Sequence, residues 1–171
     1  MIRNMTAADI DRVMEIWLAA TLKSHAFIDE AYWRRNLPAV RDKYLPRSNT
    51  ILWEEKGQVA GFVSLLDKTY IGGIFVDPAL QGKGIGSALI LTLQQIWPIL
   101  SLRVYAKNLR AVGFYRRHGF KILMSEIDRN TGEEELLMYW SLGYLSINDP
   151  ASHSSKPQSV SYTHLRAHET L

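Results

Sequence analysis

The stretch of this sequence best suited to chemistry is a glycine-rich loop that follows a short apolar segment. Residues 81–86 read Gln-Gly-Lys-Gly-Ile-Gly, and Ser87 then opens a pattern typical of an amphipathic helix. Glycine lacks a Cβ atom, so the N–H groups of such a loop can turn toward one point and approach a ligand closely. The first N–H groups of a helix have no intrahelical partner and carry partial positive charge. The loop therefore predicts a binding site for a phosphate or pyrophosphate group.

Two common kinds of phosphate-binding loop do not fit these letters. A P-loop needs four residues between its first Gly and a Gly-Lys-Ser/Thr run, whereas Lys83 is followed by Gly84. A dinucleotide-binding fingerprint needs a Gly or Ala three residues after its second Gly, where this chain has Ser87. A tight helix start that binds no ligand stays open as the structural alternative.

A second strand-helix pair lies at residues 104–120. Asn108 is placed to cap its helix, and Gly119 is expected to end it. The spacing predicts an inward helix face made of Ala111, Phe114, Tyr115 and His118.

These two stretches together resemble the two cofactor motifs of the GNAT N-acetyltransferase superfamily. The first is Gln-x-x-Gly-x-Gly after a Val-Asp-Pro turn, and the second is Asn-x-x-Ala-x-x-Phe-Tyr-x-x-x-Gly-Phe from Asn108 to Phe120. The resemblance covers roughly residues 1–142. Within the superfamily, the loop His25 to Ile28 and the Tyr32-Trp33 pair after it are similar to the small bacterial acetyltransferases of the YiaC and YjaB type.

The resemblance implies a fold and a cosubstrate. It implies an α/β fold with a central mixed, mostly antiparallel sheet of about seven strands and about four flanking helices, splayed at the acetyl-CoA site. It implies that acetyl-CoA binds to backbone groups of Ile74, Phe75 and Val76. It implies further contacts from the residues that match the motifs: Gln81, Gly82, Lys83, Gly84, Ile85, Gly86, Ser87 and Asn108.

The resemblance also implies catalytic roles. Tyr115 is the predicted general acid, because a phenol with an ordinary pKa of about 10 stays protonated near neutral pH and can protonate a departing thiolate. Packing next to Phe114 is the alternative for Tyr115, and capping alone is the alternative for Asn108. His25 is predicted to border the acceptor pocket or to relay a proton. Many family members carry a Glu in the strand before the loop, but residues 69–73 supply none, so a water relay with Tyr70 remains an alternative to a dedicated base.

Composition limits the function classes. The 171 residues, 47% of them hydrophobic, fit one globular domain over residues 1–142. Residues 143–171 lack hydrophobic periodicity and are predicted to be disordered or non-native. The absence of cysteine excludes an acyl-cysteine intermediate and favours direct transfer. No His, Asp and Glu cluster has the spacing of metal ligands, so no metal is expected.

Charge and hydropathy bear on partners and location. A net charge of +3 suits a polyanionic cosubstrate but is too small to favour nucleic acid as a partner. No apolar run is long enough to span a bilayer, and the N-terminus lacks the apolar stretch of a signal peptide, so a cytoplasmic protein without a membrane partner is expected. The sequence leaves monomer and homodimer open.

The order of elements predicted from periodicity agrees with the resemblance. The predicted strands are 2–4, 51–54, 59–66, 70–76, 100–106, 120–128 and 135–142, and the predicted helices are 6–23, 29–45, 84–97 and the one between Asn108 and Gly119.

The predicted function is transfer of an acetyl group from acetyl-CoA directly to a primary amine, with a protein lysine or N-terminal amine preferred. One alternative is a small-molecule amine, such as a polyamine, an amino acid or an antibiotic. The other is a non-catalytic regulatory domain that binds acyl-CoA.

Overall fold

The computed structural model describes residues 1–143, whose elements follow the predicted order. The prediction for residues 143–171 lies outside the described residues, apart from Gly143. The strands are β1 (Ile2–Asn4), β2 (Asn49–Glu55), β3 (Gln58–Leu66), β4 (Tyr70–Val76), β5 (Ile99–Tyr105), β6 (Lys121–Ile127) and β7 (Glu134–Ser141). The helices are α1 (Ile10–Ser24), α2 (Glu30–Ala39), α3 (Leu45–Arg47), α4 (Ile85–Ile96) and α5 (Leu109–Arg117).

The strands form one open sheet in the order β1-β2-β3-β4-β5-β7-β6. Every neighbouring pair is antiparallel except β4 and β5, which are parallel. The expected mixed, mostly antiparallel seven-stranded sheet with four longer helices is therefore confirmed.

The second predicted helix is present but irregular. After α2 the chain continues as a π-helical segment, Val40–Tyr44, before the single turn of α3. Pro38 lies inside α2. Proline has no N–H to donate and its ring crowds the preceding turn, which gives a physical reason for the departure from α-helical geometry.

The helices cover the two faces of the sheet and create two hydrophobic clusters. The α4–α5 face is filled by residues that include Ile74, Leu89, Val104 and Tyr115. The opposite face, which α1 and α2 cover, is filled by residues that include Trp17, Trp33, Phe75 and Tyr105. Burial of these side chains, at about 25 cal/mol per Å² of apolar surface, is the main contribution that holds both helix layers on the sheet.

The sheet is split between β4 and β5. These strands pair only at Tyr70 with Ser101 and at Ile71 with Leu102. The pairing of β4 with β3 shifts register just after this point, between Ser64 and Leu65. Beyond Ile71 the two strands are not paired with each other, so the predicted splay is present at their C-terminal ends.

One glycine on β3 lets α4 lie close to the sheet. A Cβ atom on Gly61 would stand 2.9 Å from the carbonyl oxygen of Phe75 and 3.0 Å from Cγ2 of Ile85. Ile85 is the first residue of α4, so the start of this helix rests directly on the glycine.

Among residues 1–143, no helix combines the length and the apolar character that crossing a membrane requires.

We expect Gly61→Ala to lower the free energy of unfolding by about 1–3 kcal/mol, because backbone and the first turn of α4 must shift to admit the methyl group. The control is Gly113→Ala on α5, where the new Cβ would meet only the end of the Arg117 side chain, at 3.4 Å. The control should be neutral or should stabilise the helix by up to about 1 kcal/mol. Urea denaturation followed by tryptophan fluorescence measures both, and equal midpoints for the two variants would contradict the close packing.

Candidate functional site

The loop between β4 and α4 has the backbone conformation that its glycines predict. After Asp77 the chain makes one 3-10 turn, Pro78–Leu80, and α4 begins after Gly84. Gly84 has a φ of 83°, in the left-handed region that glycine adopts without steric cost. The N–H groups of the first turn of α4 therefore open toward the loop rather than into the core.

A groove of about 200 Å³ lies in front of this helix start. Seven of the predicted binding residues line it: Val76, Gln81, Gly82, Gly84, Ile85, Gly86 and Ser87. Four lining residues are not among the predicted binding residues: Leu80, Arg110, Phe114 and Arg117. Lys83 is exposed and does not line this groove.

Two of the missed residues are cations on α5. Arg110 and Arg117 are seven positions apart, which is two helical turns, and both face the groove. The sequence signal that could have identified these two arginines was their position on the helix that follows the capping residue Asn108. Two guanidinium groups beside the N-terminus of α4 make the groove suited to an anion with several phosphate oxygens.

A second groove of about 300 Å³ adjoins the first, because Arg110 lines both. It lies between the end of α1 with its following loop and the start of α5. Its lining residues are Lys23, Ser24, Ala26, Phe27, Lys107, Asn108, Leu109 and Arg110.

Gln81 lies where the two grooves meet. Its Oε1 accepts hydrogen bonds from Lys23 Nζ at 3.1 Å and from Arg110 Nη1 at 3.4 Å. Its Nε2 donates to the carbonyl oxygen of Val76 at 3.3 Å. The Gln81 amide thus links the ends of β4 and α1 to the start of α5.

Asn108 caps α5 as predicted. Its Oδ1 accepts a hydrogen bond from the Ala111 N–H at 3.3 Å, and its Nδ2 lies 3.5 Å from Nε2 of His25. The structure therefore brings together Asn108 and His25, which no local sequence pattern connects.

His25 lies at the end of α1 with only 1% of its surface exposed. Burial lowers the pKa of its imidazole to about 4, although the hydrogen bond to Thr21 opposes this effect. The ring packs against Phe27, Trp33 and Tyr105, with centroid distances of 5.6, 5.1 and 5.6 Å. His25 is therefore neutral at physiological pH.

Tyr115 and Tyr70 lie on opposite faces of the sheet. Tyr115 is fully buried in the α4–α5 face, between the rings of Phe114 at 5.3 Å and Phe120 at 5.4 Å. Tyr70 is half-buried on the α1–α2 face, at the first of the two positions where β4 and β5 are paired. The three predicted catalytic side chains do not form one cluster: Tyr115 lies on one face, His25 and Tyr70 lie on the other, and the β4–β5 gap lies between them.

The side chains of Ile74 and Phe75 are buried on opposite faces of β4. Ile74 belongs to the α4–α5 cluster, and the Phe75 ring stacks on Phe62 at 5.0 Å in the α1–α2 cluster. Only backbone groups of these two residues are available to a ligand, as the resemblance implies.

His118 makes a contact that the sequence did not indicate. The spacing predicts only that His118 lies on the inward face of its helix, whereas the structure places its Nε2 3.1 Å from Oγ of Ser87 in the groove. Burial and the neighbouring Arg117 lower the pKa of His118. Thirty-one positions separate the two residues, so no local pattern could have revealed the contact.

An ion pair attaches the start of the loop to α1. Asp77 Oδ2 accepts a hydrogen bond from Arg12 Nη2 at 2.6 Å, and Asp77 Oδ1 accepts one from the Ala79 N–H at 2.9 Å. Burial by itself would raise the pKa of Asp77, but these two hydrogen bonds outweigh that effect and lower it. Because Arg12 also donates to the carbonyl oxygen of Val59 at 3.1 Å, α1, β3 and the loop are joined at one point.

Within residues 1–143, no group of three or more His, Cys, Asp and Glu side chains is arranged to hold a metal ion.

Comparison with known proteins decides the family. The acetyltransferase (GNAT) family model matches residues 10–120, a range that contains the groove, the gap and both motifs. The chain belongs to the GNAT acetyltransferase family. The resemblance of the two motifs to this family is therefore confirmed.

Relatives within the GNAT family match over most of the chain. The peptidyl-lysine N-acetyltransferase YiaC of Escherichia coli (strain K12) is 38% identical over 140 residues, which cover 82% of this chain and 96% of YiaC. The peptidyl-lysine N-acetyltransferase YjaB of Salmonella typhimurium (strain LT2) is 31% identical over 131 residues, covering 74% and 88% of the two chains. The solution structure of apo YjaB from Escherichia coli matches with a TM-score of 0.72 and 26% identity, covering 82% of this chain and 96% of that one. Similarity to the YiaC and YjaB type is confirmed.

We expect Asp77→Asn to lower the free energy of unfolding at pH 7 by roughly 1 kcal/mol, because it removes the charge that pairs with Arg12 and keeps the oxygen that accepts from Ala79. Since the pKa of Asp77 is lower in the folded state, its carboxylate contributes stability above the ordinary value of about 3.9, and the contribution is lost as the pH falls below it. The difference between wild type and variant should therefore shrink at acid pH.

Urea denaturation between pH 7 and pH 3.5 measures this difference. Asp11→Asn is the control, because Asp11 forms an ion pair with Arg41 at 2.7 Å but its side chain is 86% exposed. The control should change stability by less than about 0.5 kcal/mol. An Asp77→Asn effect no larger than the control effect would show that the ion pair does not hold the loop.

Proposed function

We propose that this chain transfers an acetyl group from acetyl-CoA directly to the side-chain amine of a protein lysine. The observation that carries the proposal is the 38% identity to a peptidyl-lysine N-acetyltransferase over 96% of that relative's length. The acceptor is proposed on this similarity, and an N-terminal amine is the next acceptor to be tested. The donor is proposed on family membership together with the chemistry of the groove.

The lining of the two adjoining grooves supports acetyl-CoA as the donor. Helix N–H groups after Gly84 and the cations of Arg110 and Arg117 would hold the pyrophosphate in the first groove. The pantetheine arm would run past Gln81 toward the second groove and bond to backbone groups of Ile74–Val76. In this arrangement Gln81 gives up its hydrogen bond to the Val76 carbonyl when the arm enters.

The β4–β5 gap supports a division of the reaction between the two faces of the sheet. The thioester would reach the gap from the α4–α5 face, and the lysine amine would approach from the α1–α2 face. The neutral amine attacks the thioester carbonyl carbon, a C–N bond forms, and the C–S bond then breaks. A backbone N–H of β4 facing the carbonyl oxygen would stabilise the negative charge that develops there.

Two protons must move during the transfer. The departing sulfur takes a proton, for which we propose Tyr115, because its side chain packs in the same cluster as Ile74 and Val104, on the two strands that border the gap. The amine loses a proton, and we propose that water near Tyr70 carries it away, since Tyr70 lies on β4 one residue before Ile71, after which the strands separate.

The proposal is tested by measuring release of CoA thiol from acetyl-CoA by the full chain. The acceptors offered are lysine peptides with blocked N-termini, peptides with a free N-terminus and no lysine, polyamines and free amino acids. Turnover with blocked lysine peptides supports the proposal. Turnover only with polyamines or amino acids would show that the acceptor is a small-molecule amine and not a protein lysine. Acetyl-CoA binding without turnover for any acceptor would support a regulatory domain instead.

We expect Tyr115→Phe to lower kcat by about 100-fold or more, because it removes the proton donor and keeps the ring. The Kd for acetyl-CoA should change little, since the aromatic packing remains. Tyr139→Phe on β7 is the matched control and should keep wild-type kcat. Steady-state kinetics and calorimetry measure these quantities, and an unchanged kcat in Tyr115→Phe would remove this residue from the mechanism.

We expect Arg110→Gln and Arg117→Gln each to raise the Kd for CoA by roughly three- to tenfold, because each removes a charged donor to phosphate. The loss should be smaller at high salt, where wild-type binding is itself weakened. Arg116→Gln is the control, since Arg116 is exposed on the same helix and does not line the groove. If all three variants bind CoA alike in calorimetry, the phosphates do not lie where we place them.

A further inference from the structure

The contact between His25 and Asn108 joins two parts of the site that are 83 positions apart in sequence. His25 is the C-cap residue directly after α1, at the start of the loop that lines the second groove. Asn108 is the N-cap residue directly before α5. Both side chains are buried, so the contact is shielded from competing water.

The partners of the imidazole decide which of its nitrogens carries the proton. His25 Nδ1 lies 3.1 Å from the carbonyl oxygen of Thr21, which can only accept. Nδ1 is therefore the protonated nitrogen, and Nε2 presents its lone pair to Nδ2 of Asn108 at 3.5 Å. His25 accepts a hydrogen bond from the Asn108 amide.

The same bond decides how the Asn108 amide is oriented. Its oxygen must face the Ala111 N–H and its nitrogen must face His25. A flipped amide would direct its oxygen at the lone pair of Nε2 and its NH₂ group at the Ala111 N–H, so both contacts would become repulsive. His25 and Ala111 thus hold the amide from opposite ends.

The surroundings of His25 do not suit a proton acceptor for the substrate amine. Its ring is enclosed by Phe27, Trp33 and Tyr105, and the lone pair of Nε2 is already directed at Asn108. A base must reach the proton that it removes, directly or through one water. Burial also lowers the pKa of the ring to about 4, which makes it a weak base.

We propose that His25 is a positioning residue that holds the Asn108 carboxamide, and through it the start of α5, at a set distance from the end of α1 beside the β4–β5 gap. The role rests on the proposed function, since Asn108 is a predicted contact of acetyl-CoA. His25 then acts on acetyl-CoA binding, and only indirectly on the chemical step.

Two substitutions separate positioning from base catalysis. His25→Phe keeps a planar ring and removes both nitrogens, whereas His25→Gln places an amide oxygen near the position of Nε2, where it can accept from Asn108. We expect His25→Phe to raise the Kd for acetyl-CoA by about tenfold, and His25→Gln to stay within about threefold of wild type. The pH profile of kcat should keep its shape in both variants.

A base would behave differently in the same measurements. Loss of a base would lower kcat by about 100-fold or more in both variants, shift the acid limb of the pH profile and leave acetyl-CoA binding unchanged. That result would overturn the proposal. A double variant His25→Phe/Asn108→Ala supplies a further check, because it should bind acetyl-CoA no more weakly than Asn108→Ala alone if His25 acts through Asn108.

A measurement on the wild-type protein tests the proposal without depending on the folding of any variant. In ¹⁵N NMR spectra of the histidine rings, His25 should show a protonated Nδ1 and an unprotonated Nε2, with no titration between pH 8 and pH 5.5. A ring that titrates near pH 6.5, or that carries its proton on Nε2, would overturn the positioning role. Failure of wild type to bind acetyl-CoA would instead overturn the proposed function. The NMR result does not depend on acetyl-CoA binding, so the two outcomes can be distinguished.

Discussion

The structure depends on one constraint, the short pairing of the parallel strands β4 and β5. They share a register at only two positions and then separate, while β3 holds β4 and β7 holds β5 from the outer sides. Each strand continues into a helix on the same face, α4 after Val76 and α5 after Tyr105. The N-terminal ends of two helices are therefore brought to the wide end of the gap. Because helix N-termini attract anions, the split that leaves backbone groups unpaired also creates the most favourable place for a phosphate.

Polar contacts across the sheet keep this arrangement in place. Arg12 attaches the loop after β4 to α1 through Asp77, and Gln81 links the same loop to the ends of α1 and α5. The side chains of Arg12 and Asp77 are only partly exposed, so their ion pair is screened less by water and salt than a fully exposed pair is. Among residues 1–143, no carboxylate lines the groove beside Arg110 and Arg117, so these side chains favour a positive potential where phosphates would bind.

Burial gives the two faces of the gap different chemical characters. On the α4–α5 face, Tyr115 is enclosed by aromatic rings, in the same layer as the groove in which we propose that the phosphates bind. On the α1–α2 face, His25 is enclosed by aromatic rings and stays neutral. A neutral, fully hydrogen-bonded imidazole does not compete with the substrate amine for protons. It holds neighbouring groups in place, as structural polar networks in cores do when all their members are satisfied.

The sequence by itself determined the features that depend on local chemistry. Strands β1 and β4 have the predicted bounds, and the helix starts at Gly84 and Asn108 follow from glycine conformation and capping, which need only a few neighbouring residues. Tertiary structure alone decided which distant groups meet. The placement of β7 between β5 and β6, the contact of Ser87 with His118 and that of His25 with Asn108 join residues many positions apart. Such contacts depend on how whole elements pack, and periodicity records only that a side chain faces inward, not what it will touch.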